Sequence, residues 1–264
     1  MNAITELEPY VLRADCGGVA TLTLNRPSQF NSLSSAMLGA LQAELDAIAA
    51  DPALRVVVIA GAGKAFCAGH DLKEMRANYS KAFMQALFKQ AGKLMLTITQ
   101  MPQPVIARIH GIATAAGCQL VSSCDLAVAA EVACFATSGI NVGLFCATPG
   151  VGLSRNIGRK QALEMLLTGD FIDAQTALQQ GLVNRVVPGE ALDAEVDKLA
   201  QAILAKSPVA VGMGKQMFYK QLEMGLDAAY QYAAEVMACN MMTEDAAEGI
   251  DAFIGKRKAE WKGR

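Results

Sequence analysis

Two short segments hold the residues whose types and spacing allow chemistry. They are "GAGKAFCAGHDLKEM" (61–75) and "HGIATAAGCQL" (110–120), and each follows an apolar stretch and leads into a helical pattern. Small residues are concentrated at both strand-to-helix junctions, where a helix start leaves backbone N–H groups without acceptors. If the two junctions meet, their amides form an oxyanion hole that stabilises negative charge on a substrate oxygen. Tight packing of a helix against a strand is the alternative explanation.

Several other kinds of chemistry are disfavoured. Neither segment matches GxxxxGK[ST] or GxGxxG, which argues against a phosphate cradle or a dinucleotide site. The seven cysteines form no CxxC pair and no Cys/His spacing typical of metal sites, so we expect free thiols, no metal and a cytoplasmic location. The net charge is −2, without blocks of like charge, and no run is apolar enough to span a bilayer. We therefore expect neither nucleic acid nor a membrane as a partner.

The elements that must position the two junctions follow an alternating pattern. "YVLRAD" and "GVATLTLN" predict a β-hairpin, and "SSAMLGALQAELDAIAADP" predicts an amphipathic helix capped by Ser34 or Ser35. "RVVVIAG", "PVIARIHG" and "CDLAVAA" predict buried strands separated by helices, which favours an α/β fold. From about residue 190 onward the pattern is helical. This change predicts a core over residues 1–195 and a helical region over 196–264.

Five motifs, in order and along essentially the whole chain, carry a family resemblance. They are "LNRPSQFNSLS", "GKAFCAGHDLKEM", "PVIARIHGIATAAGCQLVSSCDLAVA", "LTGDFIDAQTALQQGLVNRVV" and "EGIDAFIGKRKAEW". The sequence resembles the enoyl-CoA hydratase/isomerase family, the crotonase superfamily. The resemblance implies a crotonase-like spiral of ββα turns, a C-terminal helical region that assists trimerisation, and homotrimers that often pair into hexamers. The segment that begins "FATSGINVGLFC" is most similar to one particular branch of that family.

The resemblance also implies an acyl-CoA thioester as ligand, with coenzyme A as part of the substrate and no tightly bound cofactor. By motif position, the backbone amides of His70 and Ala116 would form the oxyanion hole and stabilise an enolate. The residues that would bind coenzyme A include two candidate phosphate partners, Lys73 and Lys256, of which the second is expected to reach a neighbouring subunit. The full set is Ala65, Phe66, Cys67, Ala68, Asp71, Leu72, Lys73 and Lys256.

The sequence departs from the family pattern at the two positions that hold catalytic glutamates in hydratases. The first is occupied by Gln119 and the second by Gly139. Hydration needs one group that accepts a proton from water and one that delivers a proton to the α-carbon, and each such group contributes about 10²–10⁴-fold. Ordinary hydration by the two-glutamate route is therefore not expected.

Other groups are candidates to replace the missing carboxylates. Asn141 is two residues from Gly139 and would orient water, or else form a structural hydrogen bond. The His70 imidazole titrates near neutral pH, and Cys146 would need a neighbouring base to act as a nucleophile. A bicarbonate ion or a substrate carboxylate near Gly139 and Gln119 is a further hypothesis.

Two remaining sets of residues have simpler explanations. Asp125 starts a predicted strand and is expected to be structural. A Ser–His–Asp hydrolase built from Ser122 or Ser123, His110 and Asp125 is not supported, because no GxSxG elbow is present. The hypotheses that remain are an enzyme that stabilises a thioester enolate, a pseudoenzyme that binds acyl-CoA without turnover, and, with the weakest support, a purely structural assembly protein.

Overall fold

The structure is a computed structural model that describes residues 8–264. The strands are β1 Val11–Cys16, β2 Val19–Leu24, β3 Val56–Gly61, β4 Ala65–Cys67, β5 Val105–Ile109, β6 Ile112–Thr114, β7 Leu126–Ala130, β8 Cys134–Ala136, β9 Ile172–Asp173 and β10 Arg185–Val187. The helices are α1 Ser35–Ala49, α2 Leu72–Ala77, α3 Lys81–Gln100, α4 Ala116–Ser123, α5 Ala147–Asn156, α6 Arg159–Thr168, α7 Ala174–Gln180, α8 Leu192–Leu204, α9 Pro208–Gln221, α10 Leu226–Met241 and α11 Glu244–Ile254. Short 3-10 turns span Pro27–Gln29, Ser138–Val142 and Gly189–Ala191.

The chain alternates between two sheets as it advances. The larger sheet has the order β1-β2-β3-β5-β7-β10 and the smaller one the order β4-β6-β8-β9. Each of the strand pairs β3–β4, β5–β6 and β7–β8 places its first strand in the larger sheet and its second in the smaller one. Because successive first strands and successive second strands pair in parallel, the chain advances as a spiral. The hairpin predicted for the first strands is confirmed, with Cys16 opposite Val19.

The first predicted helix is confirmed as α1. Its predicted apolar face is fully buried, and the Ser34 side chain accepts a hydrogen bond from the backbone N–H of Met37 at the helix start. The chain before α1 also positions the smaller sheet. Asn31, which is fully buried, donates from its side-chain amide to the carbonyl oxygens of Ala65 and Phe66 in β4. The motif "LNRPSQFNSLS" therefore holds the strand that leads to His70.

Helices alone follow the 3-10 turn at Gly189–Ala191 in the described chain, but the first of them packs on the larger sheet. The predicted boundary between residues 195 and 196 falls inside α8, whose buried face includes Leu192, Val196 and Ala200. These side chains pack with Val56 and Val128 of the larger sheet in one apolar cluster. Burial on the sheet thus continues through α8, and the loss of strand signals marks the end of the strands, not the edge of the core.

Asp125 has the structural role expected of it. Its Oδ2 lies 2.7 Å from Nζ of Lys215 in α9, and its Oδ1 accepts a hydrogen bond from the Tyr219 hydroxyl at 2.9 Å. Lys215 also donates to the carbonyl oxygens of Ile98 and Gln103, each at 2.7 Å. This buried network ties α9 to the end of α3 and to the start of β7.

None of the helices within residues 8–264 combines the length and apolarity that a bilayer crossing requires.

Candidate active site

The two small-residue junctions meet in space. Gly69 has a φ of +91°, which favours glycine. A Cβ atom at Gly69 would lie 2.8 Å from the Cβ of Ala115 and 3.1 Å from the backbone nitrogen of Ala116. No side chain fits into that gap, so the turn before His70 rests directly against the start of α4. The two junctions are therefore in direct contact, as the sequence predicts for a shared site.

Two amide groups at this point of contact have no acceptor in the described part of the protein. Within residues 8–264, neither the N–H of His70 nor the N–H of Ala116 donates to a protein acceptor. Ala116 is the first residue of α4, so the helix dipole adds partial positive charge there. Ala115, just before it, has φ 50° and ψ −119°, a strained conformation for any residue with a Cβ atom. Strain of this kind is found where backbone geometry serves a site.

Both junctions open onto a cavity of about 600 Å³. Its lining includes Ala68, Ala115 and Ala116. Most of the larger side chains that line it are apolar, namely Phe30, Leu72, Met75, Phe88, Val142, Leu144, Phe145 and Pro149. A largely apolar cavity with a few convergent backbone donors is typical of a ligand site. The aromatic members Phe30, Phe88 and Phe145 come from three separate segments, and no local sequence pattern connects them.

The His70 side chain is held in one orientation. Its Nδ1 lies 3.1 Å from the carbonyl oxygen of Leu33, and a carbonyl only accepts, so Nδ1 carries the proton. The ring packs edge-on against Phe88 with centroids 5.4 Å apart. Its Nε2 is buried and has no partner in the described part of the chain. Burial lowers the pKa of His70, against smaller raising effects of the Leu33 carbonyl and of Glu74, and keeps the ring neutral.

The charged residues of the second motif lie at the cavity but have other contacts. The Asp71 carboxylate caps α2, where it accepts hydrogen bonds from the backbone N–H groups of Lys73 and Glu74. Lys73 is exposed and lines the cavity, as does Leu72. Asp71 is therefore committed to the helix start, and the Lys73 ammonium is the free cation among the described residues that line this cavity.

Position 139 has no room for a side chain. Gly139 lines the cavity, and a Cβ atom there would lie 2.7 Å from Sγ of Cys146 and 2.7 Å from the carbonyl oxygen of Leu144. Leu144 also donates its backbone N–H to the Gly139 carbonyl at 2.9 Å, which closes the loop over this position. Cys146 lines the cavity and is 6% exposed. Its sulfur fills the space where a residue-139 side chain would begin.

Gln119, at the other glutamate position, is buried in α4 and is not among the residues that line the cavity. Its Oε1 is buried and has no partner in the described chain. Its carbonyl oxygen accepts hydrogen bonds from the hydroxyls of Ser122 and Ser123, at 2.9 and 2.8 Å. Those two serines are therefore committed to α4, and His110 pairs through Nε2 with the carbonyl of Gly63. A Ser–His–Asp arrangement is not formed by these residues.

Other predicted site residues lie apart from the cavity. Ala65, Phe66 and Cys67 are the buried strand β4 and do not line it, whereas Ala68 does. Asn141 is exposed, and its side-chain amide packs within 3.0 Å of where a Cβ atom at Gly169 would lie. Lys256 is exposed after α11 with a φ of 52° and is outside the cavity lining. No group of three or more potential metal ligands occurs within residues 8–264.

Known proteins share both the sequence and the fold. The family described as enoyl-CoA hydratase/isomerase matches residues 15–264. Enoyl-CoA hydratase domain-containing protein 3, mitochondrial, of Xenopus laevis is 48% identical over 92% of this chain and 83% of its own. The human protein of that name is 45% identical over 92% of this chain and 80% of its own.

Solved structures of similar proteins have the same fold. An enoyl-CoA hydratase of Mycobacterium smegmatis has a TM-score of 0.95 at 57% identity, over 96% of this chain and 99% of its own. Human enoyl-CoA hydratase domain-containing protein 3 has a TM-score of 0.93 at 44% identity, over 96% and 100% of the two chains. The predicted α/β crotonase fold is confirmed.

One prediction is wrong. The cysteine pattern predicts a cytoplasmic location, but five relatives at 44–48% identity are named as mitochondrial proteins. Free thiols indicate a reducing environment and do not distinguish the cytoplasm from other reducing compartments. The branch suggested by "FATSGINVGLFC" is that of enoyl-CoA hydratase domain-containing protein 3. With its motifs, fold and relatives in agreement, the chain belongs to the enoyl-CoA hydratase/isomerase family.

Proposed function

We propose that this protein converts an acyl-CoA thioester through an enolate that is stabilised by the backbone amides of His70 and Ala116. The observation that carries the proposal is the contact of the two junctions, which leaves two N–H groups without protein acceptors beside one cavity. A thioester oxygen placed there would gain negative charge as an α-carbon bond breaks. Each donor in such a hole contributes about 3–4 kcal/mol to the transition state.

The reaction proposed is not hydration by two glutamates. Gln119 lies outside the cavity lining and Gly139 cannot carry a side chain in this loop conformation. Double-bond isomerisation, decarboxylation and slow hydration each pass through a thioester enolate and remain open. The opposing hypothesis is a pseudoenzyme that binds acyl-CoA thioesters without changing them.

The experiment is a mass-spectrometric screen of the purified protein against crotonyl, but-3-enoyl and malonyl-type CoA thioesters. We expect one of them to change in mass or chromatographic position, and we expect Ala116→Pro to lose that turnover. The matched control is Arg159→Pro, which places proline at the first residue of another helix, where it is tolerated. Unchanged turnover in folded Ala116→Pro would reject the hole, and saturable binding without any conversion would establish the pseudoenzyme.

A second variant keeps this test independent of how α4 tolerates proline. Gly69→Ala would place a Cβ atom 3.1 Å from the Ala116 nitrogen and push the two junctions apart. We expect it to reduce turnover more than it reduces acyl-CoA binding, since the hole acts mainly on the transition state. Circular dichroism of both variants would establish that they are folded.

Coenzyme A binding is proposed for Lys73, which is exposed at the cavity, with Ala68, Asp71 and Leu72 beside it. Lys256 is proposed to bind a phosphate only in an assembled oligomer, since it does not line the cavity of its own chain. Lys73→Ala should weaken binding of CoA thioesters in a salt-dependent way. An equal loss with a phosphate-free thioester would contradict the phosphate contact.

A homotrimer or homohexamer is also proposed. The support is a set of apolar side chains on the last three helices that are each more than half exposed: Phe218, Leu226, Tyr230, Met237, Phe253 and Ile254. Exposed apolar surface on this scale is typical of subunit interfaces. Light scattering after size-exclusion chromatography would distinguish the two assemblies, and a monomer would reject both.

A further inference from the structure

We propose that the Cys146 thiol carries the proton to and from the substrate carbon in the reaction of this site. The inference rests on the proposed function, because the carbon in question is activated by the thioester enolate. It assigns the acid–base role that the replaced glutamates leave open.

The position of the sulfur is the first observation. Sγ of Cys146 lies 2.7 Å from where the side chain of residue 139 would begin, and both residues line the cavity. The thiol therefore borders the space that the first side-chain atom of a glutamate at 139 would occupy. Because the residue is 6% exposed, the sulfur is shielded from bulk water while lying at the cavity wall.

The second observation is the state of the other titratable side chains. Besides Cys146, three titratable residues line the cavity: His70, Asp71 and Lys73. The His70 ring is held by the Leu33 carbonyl and by Phe88, and its Nε2 is buried without a partner in the described chain. The Asp71 carboxylate is engaged as the cap of α2. Lys73 is exposed, so its ammonium is suited to an anionic ligand group. Cys146 is buried at the cavity wall, its thiol makes no helix-cap hydrogen bond, and its contact is with the backbone of Gly139.

The local chemistry suits reversible proton transfer. Burial raises the pKa of the Cys146 thiol, and a contact with the backbone of Gly139 partly opposes that rise. The thiol is therefore protonated near neutral pH, with a small thiolate fraction that grows as the pH rises. A neutral thiol is a weak nucleophile and an available proton donor.

The proposed step balances without any added reactant. The thiolate sulfur takes the α-proton as the α-carbon–hydrogen bond breaks, and the bonding electron pair moves into the thioester to form the enolate oxygen at the two amides. Return of the S–H proton to the α-carbon restores the substrate. With a β,γ-unsaturated thioester, its return to the γ-carbon yields the conjugated isomer.

The test measures deuterium uptake by but-3-enoyl-CoA in deuterated water with mass spectrometry. We expect the wild-type protein to add deuterium, at a rate that rises about tenfold per pH unit over a range of about pH 6.5 to 8.5, where the thiolate is the minor form. Cys146→Ser and Cys146→Ala should lower the rate by about 10²-fold or more and lose that pH dependence. Serine is well tolerated at this helix N-cap, so Cys146→Ser should fold.

The controls separate this inference from the proposed function. Cys16→Ser removes an exposed thiol that is remote in sequence from Cys146, and it should leave the rate of deuterium uptake unchanged. Calorimetric binding of butyryl-CoA should be retained by both Cys146 variants, and loss of that binding would assign Cys146 to packing instead. If Ala116→Pro abolishes exchange but Cys146→Ala keeps the wild-type rate and pH profile, the thiol is not the proton carrier and the proposed function stands. If the wild-type protein binds the thioester but neither isomerises it nor adds deuterium to it, both proposals are wrong.

Discussion

A side chain at Gly139 would begin 2.7 Å from the carbonyl oxygen of Leu144, as close as it would come to the sulfur of Cys146. The backbone oxygen cannot rotate away, so the loop itself must move to admit any other residue. The absence of a glutamate at this position is therefore a property of the loop and not of one residue alone.

Placing glutamates at positions 119 and 139 should not produce efficient hydratase activity. We expect Gly139→Glu to destabilise the protein by about 1–3 kcal/mol, as overpacked positions do, and to distort the cavity wall. The double variant with Gln119→Glu should hydrate crotonyl-CoA no faster than Gln119→Glu alone. Urea denaturation and an absorbance assay would measure the two effects. Gly189→Glu is the control, because a Cβ there meets nothing within 4 Å. Efficient hydration by the double variant would contradict the steric explanation.

Ala115→Gly should be tolerated or should stabilise the protein. Ala115 has φ 50° and ψ −119°, and releasing a left-handed residue from its Cβ strain gains about 1–2 kcal/mol. The extra freedom of glycine in the unfolded chain offsets about 0.5–1 kcal/mol of that gain. Thermal and urea unfolding would show the difference. Ala177→Gly, inside α7, should instead lose about 1 kcal/mol or more. Equal destabilisation by both would argue against strain at Ala115.

Stability should fall on acidification because of His70. Burial lowers the pKa of His70 in the folded protein below its ordinary value of 6.5. Below that value the unfolded state binds the proton more readily, so folding stability is lost as the pH falls through this range. The slope contributed by one such group is at most about 1.4 kcal/mol per pH unit.

His70→Asn is the variant that isolates this effect. It retains an N–H donor for the Leu33 carbonyl but does not titrate, so the loss of stability between about pH 7 and 5 should be smaller than in the wild type. Burial also lowers the pKa of His110, so part of the slope should remain. Identical slopes in urea denaturation would exclude His70 as a contributor.

The Asp125–Lys215 pair should matter more for stability than any exposed pair. Its side chains are only 13% and 6% exposed, so Lys215→Met would leave a buried carboxylate without its cation, at a cost of about 3–5 kcal/mol. Adding Asp125→Asn should recover part of that loss. Lys262→Met, from an exposed pair with Glu244, should cost less than about 1 kcal/mol. A loss for Lys215→Met as small as that of Lys262→Met would show that the buried network is energetically unimportant.

The elements of the core could be predicted because their signals are local. The face of α1 and its Ser34 cap follow from helical periodicity, and the buried strands β3, β5 and β7 follow from short apolar runs bounded by turns. The end of the core could not be predicted in this way. The burial of Leu192, Val196 and Ala200 depends on a sheet whose strands lie far away in sequence.

The sequence by itself determined which groups are present at the site: two small-residue junctions, His70 and Ala116 within them, and no glutamate at positions 119 and 139. It also determined the family, since ordered motifs along the whole chain carry that information. Only the tertiary structure decided what these groups are able to do. Examples are the tautomer of His70, the capping role of Asp71 and the contact of the Cys146 sulfur with position 139. Each depends on distances between atoms that the folded chain brings together. Those distances are set by packing, which no local pattern encodes.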